Sequence, residues 1–127
     1  MEPHPTVALV RSYVERLEAR DWAGVSELLQ PDVVYRMPQT SEVVRGRGAY
    51  LRWNQEYPDG WHLRLAEAYG DDTGGAARLD VTFRDEPVSA LVFVRVRDGL
   101  LAEVTDFWPT SYEPPADRAH LAEREPG

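Results

Sequence analysis

The hydrophobic pattern of this 127-residue chain is mainly helical, with steps of about 3.6 residues, before residue 60, where a short strand run at 32–45 interrupts it, and alternates with a period of two after residue 60. Before the change, Val7, Val10, Tyr13, Val14 and Leu17 recur at three- and four-residue steps, which predicts a helix over 6–20 with Thr6 as its N-cap. Asp21 is placed to cap a second, short helix carrying Trp22, Val25, Leu28 and Leu29, which Pro31 ends. The stretch 32–38 alternates as a strand, with Val33, Tyr35 and Met37 on one face, and Val43-Val44-Arg45 forms a brief second run. Gly46 and Gly48 mark a turn, and 49–57 predicts a third helix with Tyr50, Trp53 and Tyr57 on one side, closed by Pro58-Asp59-Gly60.

After the change, four period-two segments are predicted over 61–69, 76–84, 87–97 and 100–108, separated by turn residues at 70–75, 84–87 and 98–99. Consecutive strands joined by short turns pair antiparallel, and their apolar face needs cover. The expectation is an α+β fold in which three N-terminal helices pack in the concave face of a curved antiparallel sheet. One domain spans 1–109, and the Pro-rich, charged stretch 110–127 is a tail that lies either across the mouth of the fold as a lid or along its edge.

Fourteen Lys and Arg against 22 Asp and Glu leave a formal charge of −8, which repels phosphate backbones and anionic lipid heads. Nucleic acid and membrane are therefore not expected partners. The chain has no cysteine, so disulfides, thiolate catalysis and Cys-based metal sites are excluded, and a cytoplasmic home is expected. The first residues lack the basic and apolar regions of a signal peptide, and no run approaches the roughly 18 apolar residues of a membrane span.

A slip of one residue sends every strand side chain to the opposite face, so phase decides what meets the helices. Ala77, Leu79, Val81 and Phe83 read inward, as do Val88, Ala90, Val92, Val94 and Val96. If Arg97-Asp98-Gly99 is a type I turn with Gly99 in a left-handed bulge position, Val96 pairs with Leu100 and the inward set continues as Ala102, Val104, Asp106 and Trp108. One carboxylate then stands on an apolar face. A buried carboxylate is costly, its pKa tends to rise, and a proton acceptor at neutral pH needs that property. The alternatives are that Asp106 caps a turn, bonds a tyrosine hydroxyl inside the fold, or points outward through a different turn.

Other chemistry-bearing residues carry less. His4, His62 and His120 have no metal-ligand spacing, Gly46-Arg47-Gly48 is not a nucleotide loop, and no serine has a nucleophile context, so no metal or cofactor is implied. Glu67 and Glu103 read as outward charges.

The helix-one tyrosine, the Gly46-Arg47-Gly48 turn opening the third helix, and the last strand Val104-Thr105-Asp106-Phe107-Trp108 together resemble the NTF2-like superfamily, also called the cystatin-like cone, over residues 6–109. The resemblance implies a pocket between sheet and helices, lined here by Tyr13, Trp22, Tyr35, Met37, Trp53, Tyr57, Phe83, Asp106 and Trp108, unless these aromatics fill the cone outright. It implies a small hydrophobic or aromatic ligand and a homodimer through the outer sheet face. Against the ketosteroid isomerases, Tyr13 matches the oxyanion-binding tyrosine, but the base position aligns with Met37 and the second donor falls among Val92, Phe93 and Val94, so that mechanism is not expected. Against the limonene-epoxide hydrolases, Asp106, Tyr35 and Arg78-Leu79-Asp80 match, but the water-binding Asn falls on Met37, and Arg78 and Asp80 reach the pocket only if a β-bulge reverses their phase. The SnoaL-like cyclases need least, a last-strand aspartate, which Asp106 matches. That likeness implies acid–base chemistry of the cyclase, isomerase or dehydratase kind, with Asp106 as base and Tyr13 or Tyr35 as donor. Because the same scaffold hosts binding proteins, a non-catalytic ligand-binding domain is the other class open to this chain.

Overall fold

The computed structural model describes residues 2–126, so Met1 and Gly127, the outer ends of the expected domain and tail, lie outside the described residues. Helix α1 (Pro5–Glu18) buries Val10, Tyr13, Val14 and Leu17, the stripe its spacing announces. Its N-cap is His4 rather than Thr6. The His4 Nδ1 accepts from the Thr6 backbone N–H at 3.1 Å, and Pro5 takes the first helical position, where its missing N–H costs nothing. Thr6, already inside the helix, donates its hydroxyl to the carbonyl of Asp71 at 2.7 Å.

Helix α2 (Trp22–Ser26) is capped by Asp21 and stops sooner than expected. Leu28 lies in a turn, and Leu29 opens strand β1 (Leu29–Met37), so Pro31 sits inside a strand instead of ending a helix. The strand tolerates it because pairing is irregular there: the register against the last strand shifts between Leu29 and Val34. Strand β2 (Glu42–Arg45) follows, then helix α3 (Arg47–Glu56), entered through Gly46 at φ +95° and left through an extended Tyr57, as the following Pro58 demands.

Strands β3 (Trp61–Gly70), β4 (Gly74–Phe83), β5 (Glu86–Arg97) and β6 (Leu100–Phe107) form the expected antiparallel meander. The six-stranded order is β2-β1-β6-β5-β4-β3, and β1 lies parallel to β6, the one pair in the sheet that is not antiparallel. The alternation in β4 and β5 holds, with Ala77, Leu79, Val81, Ala90, Val92 and Val94 all buried. Helix α1 packs on β3 and β4 and α3 on β1 and β2, which leaves the inner side chains of β5 and β6 facing the space between the two helices.

The turn before β6 departs from expectation. Asp98 and Gly99 both have positive φ, 52° and 76°, and Arg97 pairs with Leu100 across a two-residue turn. Leu101, not Leu100, is the first inward residue of β6; it faces Val96 and is fully buried. A bulge then follows, since Val96 faces Leu101 while Arg95 faces Glu103, so Ala102 is the extra residue and Val104 returns to the inner face. The tail after Trp108 is largely exposed, with one 3-10 turn at Ala116–Leu121, and Pro109, Thr110 and Ser111 border a surface groove shared with Arg64, Asp80, Val88 and Ser89. No helix among the described residues is long and apolar enough to cross a membrane.

Candidate active site

Between α1, α3 and the inner face of the sheet lies a cavity with about 50 Å³ of room for the centre of a water-sized sphere, inside about 560 Å³ of empty space that includes its mouth. It is narrow and aromatic, suited to a small or flat molecule. Tyr13 and Leu17 come from α1, Tyr35 and Met37 from β1, Tyr50, Trp53 and Asn54 from α3, with Tyr57 just beyond it, and Trp61, Leu63, Leu79 and Val92 from the strands. Asp106 and Trp108 complete it. Tyr35 stacks on Tyr50 at 4.8 Å between centroids, and Trp53 bridges Tyr35 and Tyr57 at 5.8 Å to each.

Asp106 is the only carboxylate in this lining. Its Oδ2 accepts two hydrogen bonds, from the Tyr35 hydroxyl at 2.8 Å and from the Trp108 indole N–H at 3.0 Å. Its Oδ1 is buried and has no partner. Burial raises the Asp106 pKa above the ordinary 3.8, while the bonds from Trp108 and Tyr35 pull the other way. Nearby, the hydroxyls of Tyr13 and Tyr50 bond each other, and both phenols are buried. Desolvation raises Tyr13, Tyr35 and Tyr50 above the usual phenol range, and the charge of Asp106 adds to each, so all three remain neutral O–H donors near pH 7.

Of the residues expected here, Tyr13, Tyr35, Met37, Trp53, Tyr57, Asp106 and Trp108 meet in this cavity, whereas Trp22 and Phe83 do not line it. Trp22 opens α2, a helix that packs against α1 and α3 at the margin of the core. Phe83 supports the wall from behind, edge-on to Tyr57 at 6.4 Å. Tyr35 is not a free donor, because its hydroxyl is committed to Asp106. Tyr50, Asn54 and Trp61 enter the lining unexpectedly. Tyr50 could have been found, since it shares the face of α3 with Trp53 and Tyr57.

Trp61 is backed by Arg20, whose guanidinium stacks 3.3 Å from the ring centroid and also donates to the Trp61 carbonyl at 2.5 Å. Arg78 and Asp80 stand on the outer face, where Arg78 pairs with Glu67 at 3.0 Å and Asp80 pairs with Arg64. Strand β4 pairs with β5 without interruption from Gly74 to Phe83, so no bulge turns that pair inward.

The SnoaL-like domain family matches residues 10–104. A presumed ketosteroid isomerase from Kribbella flavida DSM 17836 is 46% identical, with a TM-score of 0.92 over 97% of this chain and 91% of that one. An NTF2-like protein of unknown function from Burkholderia xenovorans LB400 is 15% identical, with a TM-score of 0.77 over 96% of each chain. A presumed polyketide cyclase from Sinorhizobium meliloti is 22% identical, with a TM-score of 0.69 over 78% of this chain and 93% of that one. The last two share the fold alone. No curated protein matches.

Proposed function

The chain belongs to the SnoaL-like domain family, and from that footing we propose that it removes a proton beside the carbonyl of a small apolar or aromatic molecule, with Asp106 as the base. One observation carries the reading: Oδ2 of Asp106 is tied by two donors while Oδ1, buried on a residue that lines the cavity, has no partner. Buried carboxylate oxygens in folded proteins nearly always have a partner, so an unpartnered one on a residue lining a cavity favours a ligand-facing role. The orphaned oxygen and the raised pKa together describe a proton acceptor.

In the step proposed, a carbon–hydrogen bond breaks, the proton goes to Oδ1, and the electron pair moves through the carbon–carbon bond onto the carbonyl oxygen. The Tyr13–Tyr50 pair has two hydroxyl protons and spends one on its mutual bond, leaving the other for that developing oxyanion. Return of the proton to another carbon would be isomerisation. Attack of the enolate on a second carbonyl would be aldol closure, and subsequent loss of water a dehydration.

The ketosteroid isomerase and polyketide cyclase names borne by structural neighbours agree with this class of chemistry. Met37 and Val92 line the cavity as apolar side chains where the resemblance to ketosteroid isomerases would ask for acid–base groups, so proton transfer falls to Asp106. Epoxide opening is the weaker reading, because Arg78 and Asp80 are engaged on the outer face.

Carboxyl-carbon NMR titration of Asp106, with Asp106→Asn as assignment control, tests the base directly. A titration above the ordinary carboxylate range is expected, together with Asp106-dependent deuterium uptake beside the carbonyl of small aromatic ketones in D2O. An ordinary titration, or uptake unchanged in Asp106→Asn, would sink the reading in favour of a binding domain.

A further inference from the structure

The parallel ladder between β1 and β6 runs through Val34 opposite Glu103, Tyr35 opposite Val104 and Arg36 opposite Thr105. Continued in that register, Gln39 stands opposite Trp108. The ladder stops before reaching them, because β1 ends at Met37, Pro38 has no N–H to give, and the chain turns back through Thr40 and Ser41. Trp108 would therefore leave the sheet with its own N–H and C=O unpaired. The Gln39 side chain supplies both partners. Its Oε1 accepts from the Trp108 backbone N–H, and its Nε2 donates to the Trp108 carbonyl oxygen at 3.1 Å. A primary amide offers one donor and one acceptor side by side, as the backbone of a strand residue does.

Trp108 is where the sheet hands over to the exposed tail, and its indole is one of the two groups that hold Asp106. A residue at such a boundary frays unless something ties it. We propose that Gln39 is a positioning residue of the site: its amide stands in for the missing rung of the β1–β6 ladder, holds Trp108, and through the Trp108 indole sets the orientation of the Asp106 carboxylate. The functional meaning rests on Asp106 being the base, whereas the coupling of Gln39 to Trp108 stands or falls by itself. Gln39 is exposed and lies outside the cavity lining, so nothing in its own surroundings marks it.

The test follows the indole N–H exchange of Trp108 and the titration of Asp106 in the intact chain, in Gln39→Ala, Gln39→Glu and Trp108→Phe. Gln39→Ala is expected to speed indole exchange about fivefold or more, the factor carried by one ordinary hydrogen bond. It should also move the Asp106 titration upward, in the same direction as Trp108→Phe, because the indole bond favours the charged carboxylate. Gln39→Glu keeps the acceptor and loses the donor, so its values should fall between. Wild-type exchange and titration in Gln39→Ala, beside a clear shift in Trp108→Phe, would overturn the role of Gln39 and leave the base standing. An ordinary Asp106 titration in the unmutated chain would remove the base, while indole exchange would still decide whether Gln39 holds Trp108.

Discussion

The Tyr35 hydroxyl donates to Oδ2 of Asp106 across 2.8 Å, from β1 to the last strand of the sheet, and so binds the candidate base to the one parallel pair in the fold. Its loss makes the first prediction. In Tyr35→Phe the charged carboxylate keeps only the Trp108 donor, so the Asp106 titration should move further upward. A stability loss of about 1–2 kcal/mol is expected at pH 7, shrinking in acid where the carboxyl is protonated. Chemical denaturation at pH 7 and pH 4 reads both, and an equal loss at the two pH values would contradict the account.

Asp106 itself should cost the fold stability when ionised. Its folded pKa lies above the unfolded value near 3.8, so between the two the folded chain holds a proton that the unfolded chain has released. Stability is then fullest below 3.8 and falls as pH rises through the folded value. Asp106→Asn, which cannot ionise and can still accept from Tyr35 and Trp108, should melt several degrees above the unmutated chain at pH 8, about 4 °C for each kcal/mol, and at nearly the same temperature below pH 4. A lower melting temperature at pH 8 would show that the carboxylate stabilises the fold and is no poised base.

Asp80→Asn separates the acid–base reading from epoxide opening. With Asp80 on the outer face beside Arg64 and Arg78, the substitution should leave ketone deuterium exchange as it is and change the melting temperature little. Loss of that exchange in Asp80→Asn would place the residue in the chemistry and overturn the assignment of faces.

The inner face of β4 and β5 is readable because strict alternation leaves one choice for Ala77, Leu79 and Val81 and for Ala90, Val92 and Val94. The approach to Asp106 is not. A two-residue turn at Asp98-Gly99 displaces β6 by one residue from the expected register, and the bulge at Ala102 displaces it by one more in the same direction, so that Val92 faces Asp106 and not Val104. Asp106 therefore points inward because two one-residue shifts restore the phase of a period-two strand, and Leu100-Leu101-Ala102 has no alternation from which to read the bulge. The partners of Asp106 are hidden for another reason. Periodicity assigns Tyr35 to a face, but which strand lies beside it is a property of the whole sheet, set by β1 joining β6 in parallel. The Gln39 contact depends on the same neighbour relation.

The outer face supports one more proposal, a dimer of this chain. Leu91, Phe93 and Tyr69 are 37%, 49% and 65% exposed on it, and Phe93 packs edge-on against Phe107 at 5.9 Å. The carboxylates around them are paired in place, Glu67 with Arg78, Asp80 with Arg64 and Glu103 with Arg36, and Arg95 adds a further positive charge. On a chain of net charge −8, this is a surface where two copies can approach without like charges meeting, and an apolar centre framed by both signs is self-complementary under a two-fold axis. Sedimentation equilibrium should give twice the 14.4 kDa chain mass, and Phe93→Asp should return it to one chain without disturbing the Asp106 titration. A single-chain mass for the unmutated protein throughout the micromolar range would show that this face is left to solvent or to a different partner.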